Sequence, residues 1–231
     1  MQSLEAELER ARDLDVGELA DAIESIGFEC TRCGACCTAH EAGHGAEPDP
    51  DEGREEHTAT VFPDEVRTLQ EATDRDWRDV ARPMPYGLTE GENGLEGETF
   101  EWALRTDPCG DCVFYEVEGG VGACTVHEDR PLICRTYPFS VALEGTSQPM
   151  GEAVDEDGIV RAHECEGLGR DISREDAEDL ARTLKERAVR ELEEAIGVRD
   201  EYEPARVESN SGEVVVHDSE GAKGVDGRPL E

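Results

Sequence analysis

Apolar positions recur at helical spacing in three stretches of the chain. Residues 3–26 carry Leu4, Leu8, Ala11, Leu19, Ala22, Ile23 and Ile26 on that period, with Gly27 placed as a stop. Asp15 and Glu18 form a capping box, which predicts one helix or two with a break near Leu14. Residues 63–82 open on Pro63 at an N1-like position and continue with Val66, Leu69, Trp77 and Val80, predicting one or two helices. The clearest pattern runs over 173–196. Ser173 is the expected N-cap, the apolar stripe is Ala177, Leu180, Ala181, Leu184, Ala188, Leu192 and Ala195, and Gly197 ends it.

Between the second and third stretches the period shortens to two. Thr99 to Arg105 alternates through Phe100, Trp102 and Leu104, and Cys112 to Val117 predicts a second strand. Gly119-Gly120 signals a hairpin into a third, Val121 to Cys124. Phe139 to Leu143 and Gly158 to Ala162 predict further short strands. Residues 38–60 read as a loop, 86–98 as a Gly/Glu linker and 198–231 as a mobile polar tail with one apolar run, Val214 to Val216. The expected fold is α+β: a small antiparallel sheet with flanking helices and a cysteine-rich metal-binding core. Its segments are an N-terminal helical part at 1–27, a cysteine-cluster domain at 28–170, a packed C-terminal helix at 171–197 and the tail at 198–231.

Composition changes this picture in two ways. Hydrophobic residues make up only 36% of the 231, so apolar burial needs help from another source. Acidic residues number 58 against 22 basic ones, a net charge of −36, and all but two of the basic residues (Lys185 and Lys223) are arginine. An acidic, lysine-poor surface resembles proteins of organisms that hold molar salt in the cytosol, where a screening length of about 3 Å quenches self-repulsion. Such a surface repels nucleic-acid phosphate, and no apolar run reaches membrane-spanning length, so neither partner is expected. Residues 1–12 are charged and amphipathic with no apolar h-region, and the expected location is cytoplasmic. Thiols there stay reduced, so clustered cysteines read as metal ligands before disulfides.

The nine cysteines carry the chemistry. Cys30-Thr-Arg-Cys33-Gly-Ala-Cys36-Cys37 places four thiols within eight residues. Two-residue gaps let a turn aim successive sulfurs at one point while backbone amides hydrogen-bond them, an arrangement used by tetrahedral zinc and by iron–sulfur clusters. Gly34 permits a backbone angle closed to other residues. Adjacent side chains tend to diverge, so Cys36 and Cys37 are expected to serve two sites, or one of them to bridge. The second group is Cys109-Gly-Asp-Cys112, then Cys124, Cys134 and Cys165. Two four-thiolate sites would use eight of the nine. One site with a redox-active pair, or one binuclear centre, are the other arrangements. Arg130 and Arg135 flank Cys134, where guanidinium groups could offset thiolate charge.

The run Cys30–Cys37 resembles the CxxCxxCC signature of the YkgJ-type cysteine-cluster family, a zinc- or iron-chelating domain. The resemblance continues through Phe28, the segment Pro63–Ala81, Cys109, Cys112 and Cys124. It extends over the string Arg130-Pro-x-x-Cys134-Arg-x-Tyr-Pro-Phe139 and over Cys165 with its following glycines, and so spans about 26 to 170. It implies metal chelation, by zinc or an iron–sulfur centre, with a metal ion as the partner. Some relatives are flagellin lysine N-methylases, which makes a metal-dependent protein-modifying enzyme one alternative and a thiol redox sensor another. His40 and His44 follow the cluster and His163 precedes Cys165; imidazole suits zinc, but loop or core roles are the ordinary expectation for these and for His57.

Overall fold

A computed structural model describes residues 3–41, 54–143, 153–155, 158–205 and 212–230. In chain order its helices are α1 (Leu4–Asp13), α2 (Val16–Ile26), α3 (Pro63–Thr73), α4 (Trp77–Val80), α5 (Leu132–Thr136) and α6 (Arg174–Glu201). The strands before residue 110 are β1 (His40–Glu41), β2 (Arg54–Glu55), β3 (Thr60–Val61), β4 (Ala81–Pro83), β5 (Leu88–Gly91), β6 (Gly94–Thr99) and β7 (Trp102–Leu104). Those after it are β8 (Tyr115–Glu118), β9 (Val121–Cys124), β10 (Phe139–Val141), β11 (Ala153–Asp155), β12 (Val160–His163), β13 (Val214–Asp218) and β14 (Gly221–Gly224). Helices and several small, mostly antiparallel sheets make the fold α+β. Among the described residues no helix is long and apolar enough to cross a membrane.

The chain divides into two compact units. Unit 1 comprises Met1–Thr31 and Pro131–Asp200; unit 2 comprises Arg32–Arg130 and Glu201–Glu231.

Unit 1 owns a continuous apolar core. Leu8, Ala11, Leu19 and Ile23 of α1 and α2 meet Ala177, Ala181, Leu184, Ala188 and Leu192 of α6, together with Phe139, Val141, Val160 and Ala162 from the sheet β10–β12–β11. Many of these are alanines, which let helices approach closely but contribute little area each. The break between α1 and α2 falls at Leu14, and the Asp15 carboxylate accepts the Glu18 N–H at 3.0 Å. Lys185 donates to the Leu14 carbonyl at 2.7 Å, satisfying a group left over by the end of α1. Arg187 is buried; it donates to Thr136 Oγ1 at 3.0 Å and to the Phe139 carbonyl at 3.3 Å while pairing with Glu191 at 2.7 Å. That network fixes α5 and β10 against α6.

Unit 2 is built from three small sheets, ordered β3–β7–β4, β8–β9 and β14–β13–β6–β5, with the short pair β1–β2 beside them. Its interior centres on Trp102, edge-on to Trp77 at 5.1 Å, with Val66, Leu69, Val80 and Phe114 also buried. Trp102 Nε1 donates to Asp218 at 2.8 Å, and Asp218 in turn pairs with the buried Lys223 at 2.8 Å. Residues 86–98, read from sequence as a linker, contain the hairpin strand β5 and most of β6. The region read as a tail supplies β13 and β14, and β13 pairs in parallel with β6 (Val214 opposite Gly97). Val215 and Val216 are buried there, which is why this polar stretch is held. Gly197 does not end the last helix, which runs on to Glu201.

Candidate metal centre

Unit 2 holds six of the nine cysteines. The loop starts at Arg32, whose φ of 56° is unusual for a side-chain-bearing residue, and turns at Gly34 with φ 83°. The Cys37 N–H closes the turn on the Gly34 carbonyl at 2.8 Å, and Ala35–Cys37 forms one 3₁₀ turn. A Cβ on Gly34 would lie 2.1 Å from the Tyr115 hydroxyl oxygen, and one on Gly122 would lie 2.8 Å from the same ring. The Tyr115 ring is thus wedged between two glycines, and the Gly122 N–H donates to the Arg32 carbonyl at 3.1 Å. This clamps the thiol loop onto the hairpin β8–β9.

The second thiol group is tied to the first by backbone. The Cys112 N–H donates to the Cys37 carbonyl at 2.8 Å, and Ala39 N–H donates to the Asp111 carboxylate at 2.8 Å. Asp107 organises the intervening turn: one carboxylate oxygen accepts the N–H groups of Cys109 at 2.8 Å and Asp111 at 3.0 Å. Cys124 sits directly opposite Tyr115 in the hairpin register. Cys112 is buried, Cys37 and Cys124 are half-buried, and Cys33, Cys36 and Cys109 are exposed.

Electrostatics show which thiols share a neighbourhood. Cys36 is pushed well above the usual thiol range, chiefly by its contact with Cys37. Burial pushes Cys112 up to about 11, and the charges of Cys124 and Cys36 add to it. Burial raises Cys124 as well, with Cys36 contributing. Tyr115 is raised by burial and then by Cys37, Asp111, Cys33 and Cys36. Cys33, Cys36, Cys37, Cys112 and Cys124 therefore surround one region. Arg130, expected beside Cys134, lowers Cys36 and Cys124, and Arg75 lowers Cys112.

Two features fit a bound metal. The Sγ atoms of Cys36 and Cys37 lie 3.8 Å apart without a disulfide. With a zinc–sulfur bond of about 2.3 Å, the edge of a regular tetrahedron of sulfurs is about 3.8 Å. Adjacent cysteines were expected to diverge; the 3₁₀ turn instead brings their sulfurs to the spacing of two ligands on one ion. The second feature is a repeated amide contact. Backbone N–H groups of Phe114 and Val126 favour the thiolates of Cys112 and Cys124, and the Gly167 N–H reaches Cys165 Sγ at 3.4 Å. In all three cases the donor is two residues after the cysteine, and such donors stabilise a metal-bound sulfur. As placed, no three Cys, His, Asp or Glu side chains among the described residues stand close enough to share one ion. The exposed Cys33 and Cys109 side chains have room to rotate.

Unit 1 holds Cys30, Cys134 and Cys165. Segments 27–30 and 165–169 run antiparallel: Phe28 bridges Leu168, Glu29 N–H donates to the Gly167 carbonyl at 3.1 Å, and Gly169 N–H donates to the Gly27 carbonyl at 3.0 Å. A Cβ on Gly167 would lie 2.3 Å from the Glu29 carbonyl oxygen, so glycine at 167 is what lets the two segments lie this close. The Tyr137 hydroxyl donates to the Glu164 carbonyl, linking the residue after α5, which carries Cys134, to the residue before Cys165. His163 is buried with Nε2 2.8 Å from Ser140 Oγ, and His57 is buried in unit 2. His44 lies outside the described residues, and of His40 only its place in β1 is described.

Sequence comparison gives the same direction as the geometry. A family profile titled "CxxCxxCC: putative zinc- or iron-chelating domain" matches residues 29–166, a span that includes all nine cysteines. The chain belongs to the CxxCxxCC family. That description supports metal chelation with a metal ion as partner, and it leaves α6 beyond residue 166 and the strands β13 and β14 outside the matched CxxCxxCC span. No curated protein and no solved structure matches the chain significantly. Tyr115, Asp107 and Arg75 were not singled out from the sequence. The Gly34 and Gly122 spacing to an aromatic is visible only once the hairpin is folded.

Proposed function

We propose that this chain is a thiolate metal-chelating protein whose domain at 28–170 binds zinc or an iron–sulfur centre. Cys36, Cys37, Cys112 and Cys124 form the principal ligand set, with Cys33 and Cys109 on the same loops. Cys30, Cys134 and Cys165 form a second thiol group in unit 1. The observation that carries this reading is the repeated amide contact from residue i+2 to sulfur at Cys112, Cys124 and Cys165. A bound dication would supply the positive charge that turns these mutually repelling thiols into stable thiolates. It would also tie together loops that have little apolar interior of their own.

The redox-sensor alternative is weaker on physical grounds. A sensor thiol needs a depressed pKa, whereas Cys36, Cys112 and Cys124 are all raised. Cobalt(II) titration of reduced protein tests the chelation reading. The expected result is the intense visible spectrum of tetrahedral cobalt with thiolate charge-transfer bands, lost in Cys112→Ser. An octahedral, aqua-like spectrum for the parent protein overturns it.

A further inference from the structure

Unit 2 carries an open cleft of about 540 Å³ beside the thiol loops, within the range of about 300–1,000 Å³ common for small-molecule sites. Two arginines, Arg75 and Arg105, line it with Thr106, Val113 and Tyr115. In a chain of net charge −36, many arginines pair with carboxylates, as Arg67 does with Glu220 at 2.6 Å and Arg12 with Glu193 at 2.8 Å, while the exposed Arg161 makes no ion pair among the described residues. Among the described residues the side chains of Arg75 and Arg105 make no ion pair and no hydrogen bond, although Asp79 and Asp107 line the same cleft.

The Arg75 side chain and the Arg105 backbone are held in place by other means. The Arg75 guanidinium lies over the buried Phe114 ring, 4.9 Å from its centroid. Stacking of this kind fixes the guanidinium plane and leaves its N–H edge for an acceptor with two oxygens. The Arg105 N–H donates to the Val80 carbonyl at 2.8 Å, and its own carbonyl accepts the Val113 N–H at 3.1 Å. Asp107 spends one carboxylate oxygen on the turn amides of Cys109 and Asp111. Asp79 and Asp107 both remain acids in the lining, which disfavours a ligand carrying excess negative charge.

We propose that this cleft binds a small oxyanion, the carboxylate or phosphate group of a small molecule, gripped between the Arg75 and Arg105 guanidinium groups. Tyr115 belongs to both features of unit 2: its ring walls the cleft and clamps Gly34 of the thiol loop.

The test is calorimetric titration of the full-length protein, purified anaerobically with its metal, against inorganic phosphate and against malonate in molar potassium chloride. Saturable binding of at least one probe is expected, weakened at least tenfold in Arg75→Gln and in Arg105→Gln and unchanged in Arg161→Gln, an exposed arginine on β12. Binding of phosphate alone assigns a phosphate-bearing ligand, and binding of malonate alone a carboxylate. If Arg75→Gln does not fold, as judged by circular dichroism, Arg105→Gln decides the matter. Absence of saturable binding by both probes, or binding that survives both substitutions, overturns the proposal.

Discussion

A Cβ on Gly34 would stand 2.1 Å from the hydroxyl oxygen of Tyr115 and 2.4 Å from Cζ of the same ring. Gly34 also has φ 83°, so alanine there meets a backbone penalty and a collision together. Gly34→Ala is expected to cost at least about 1–3 kcal/mol and to lower bound metal, read by elemental analysis and thermal unfolding. Gly119→Ala is the control. It shares the positive φ, at 59°, but nothing lies within 4 Å of its Cβ, so metal content should stay at the parent level.

Cys112 and Cys33 report on the two loops of unit 2. Cys112 is buried and accepts the Phe114 amide, and Cys33 is exposed at the start of the turn. Cys112→Ser and Cys33→Ser should each lower metal content and melting temperature, because binding free energy is part of folding free energy in such sites. The loss should be greater for Cys112→Ser, which removes a preorganised ligand. Full metal and unchanged melting in both variants would contradict the assignment.

Arg187 ties α6 to the segment that carries Cys134. Arg187→Ala would leave the Thr136 hydroxyl, the Phe139 carbonyl and Glu191 without this partner. Removing one member of a buried ionic network costs about 3–5 kcal/mol. Chemical denaturation should show a loss of that order, with Arg187→Lys recovering only part of it because one ammonium cannot span the same acceptors.

Glu220 gives the pH dependence a sign. Arg67 first, then Lys223, hold its carboxyl down from the usual 4.5 to about 2, against the opposing effect of burial. A depressed folded-state pKa contributes stability that is complete above the unfolded value and is lost as pH falls toward about 2. Glu220→Gln should therefore be less stable than the parent at neutral pH, and the gap should close as the pH drops from about 4.5 to about 2. The side chain is well exposed, so the gap should be about 1 kcal/mol or less and should shrink with salt.

The sequence made the helices legible because their apolar stripes are long. The Asp15 cap, the Leu14 break and the start of α6 at Arg174 all follow from side chains that act within one turn. The hairpin Val121–Cys124 was legible from Gly119-Gly120. The hairpin β5–β6 was not, because its strands are rich in glycine and glutamate and poor in β-branched residues. The hairpin β13–β14 depends on parallel pairing with β6 more than a hundred residues earlier, a contact that local pattern does not encode. At the candidate site the thiols themselves were plain. What holds them was hidden: Tyr115 between Gly34 and Gly122, Asp107 under the Cys109–Cys112 turn, and the 3₁₀ turn that sets Cys36 and Cys37 at 3.8 Å.

Metal analysis with an absorption spectrum, on protein purified anaerobically in molar salt, tests the central claim most directly. The account predicts more than one thiolate-bound metal per chain: a colourless zinc protein, or a brown iron–sulfur protein that bleaches in air. A folded, metal-free protein whose cysteines all titrate as free thiols would contradict it.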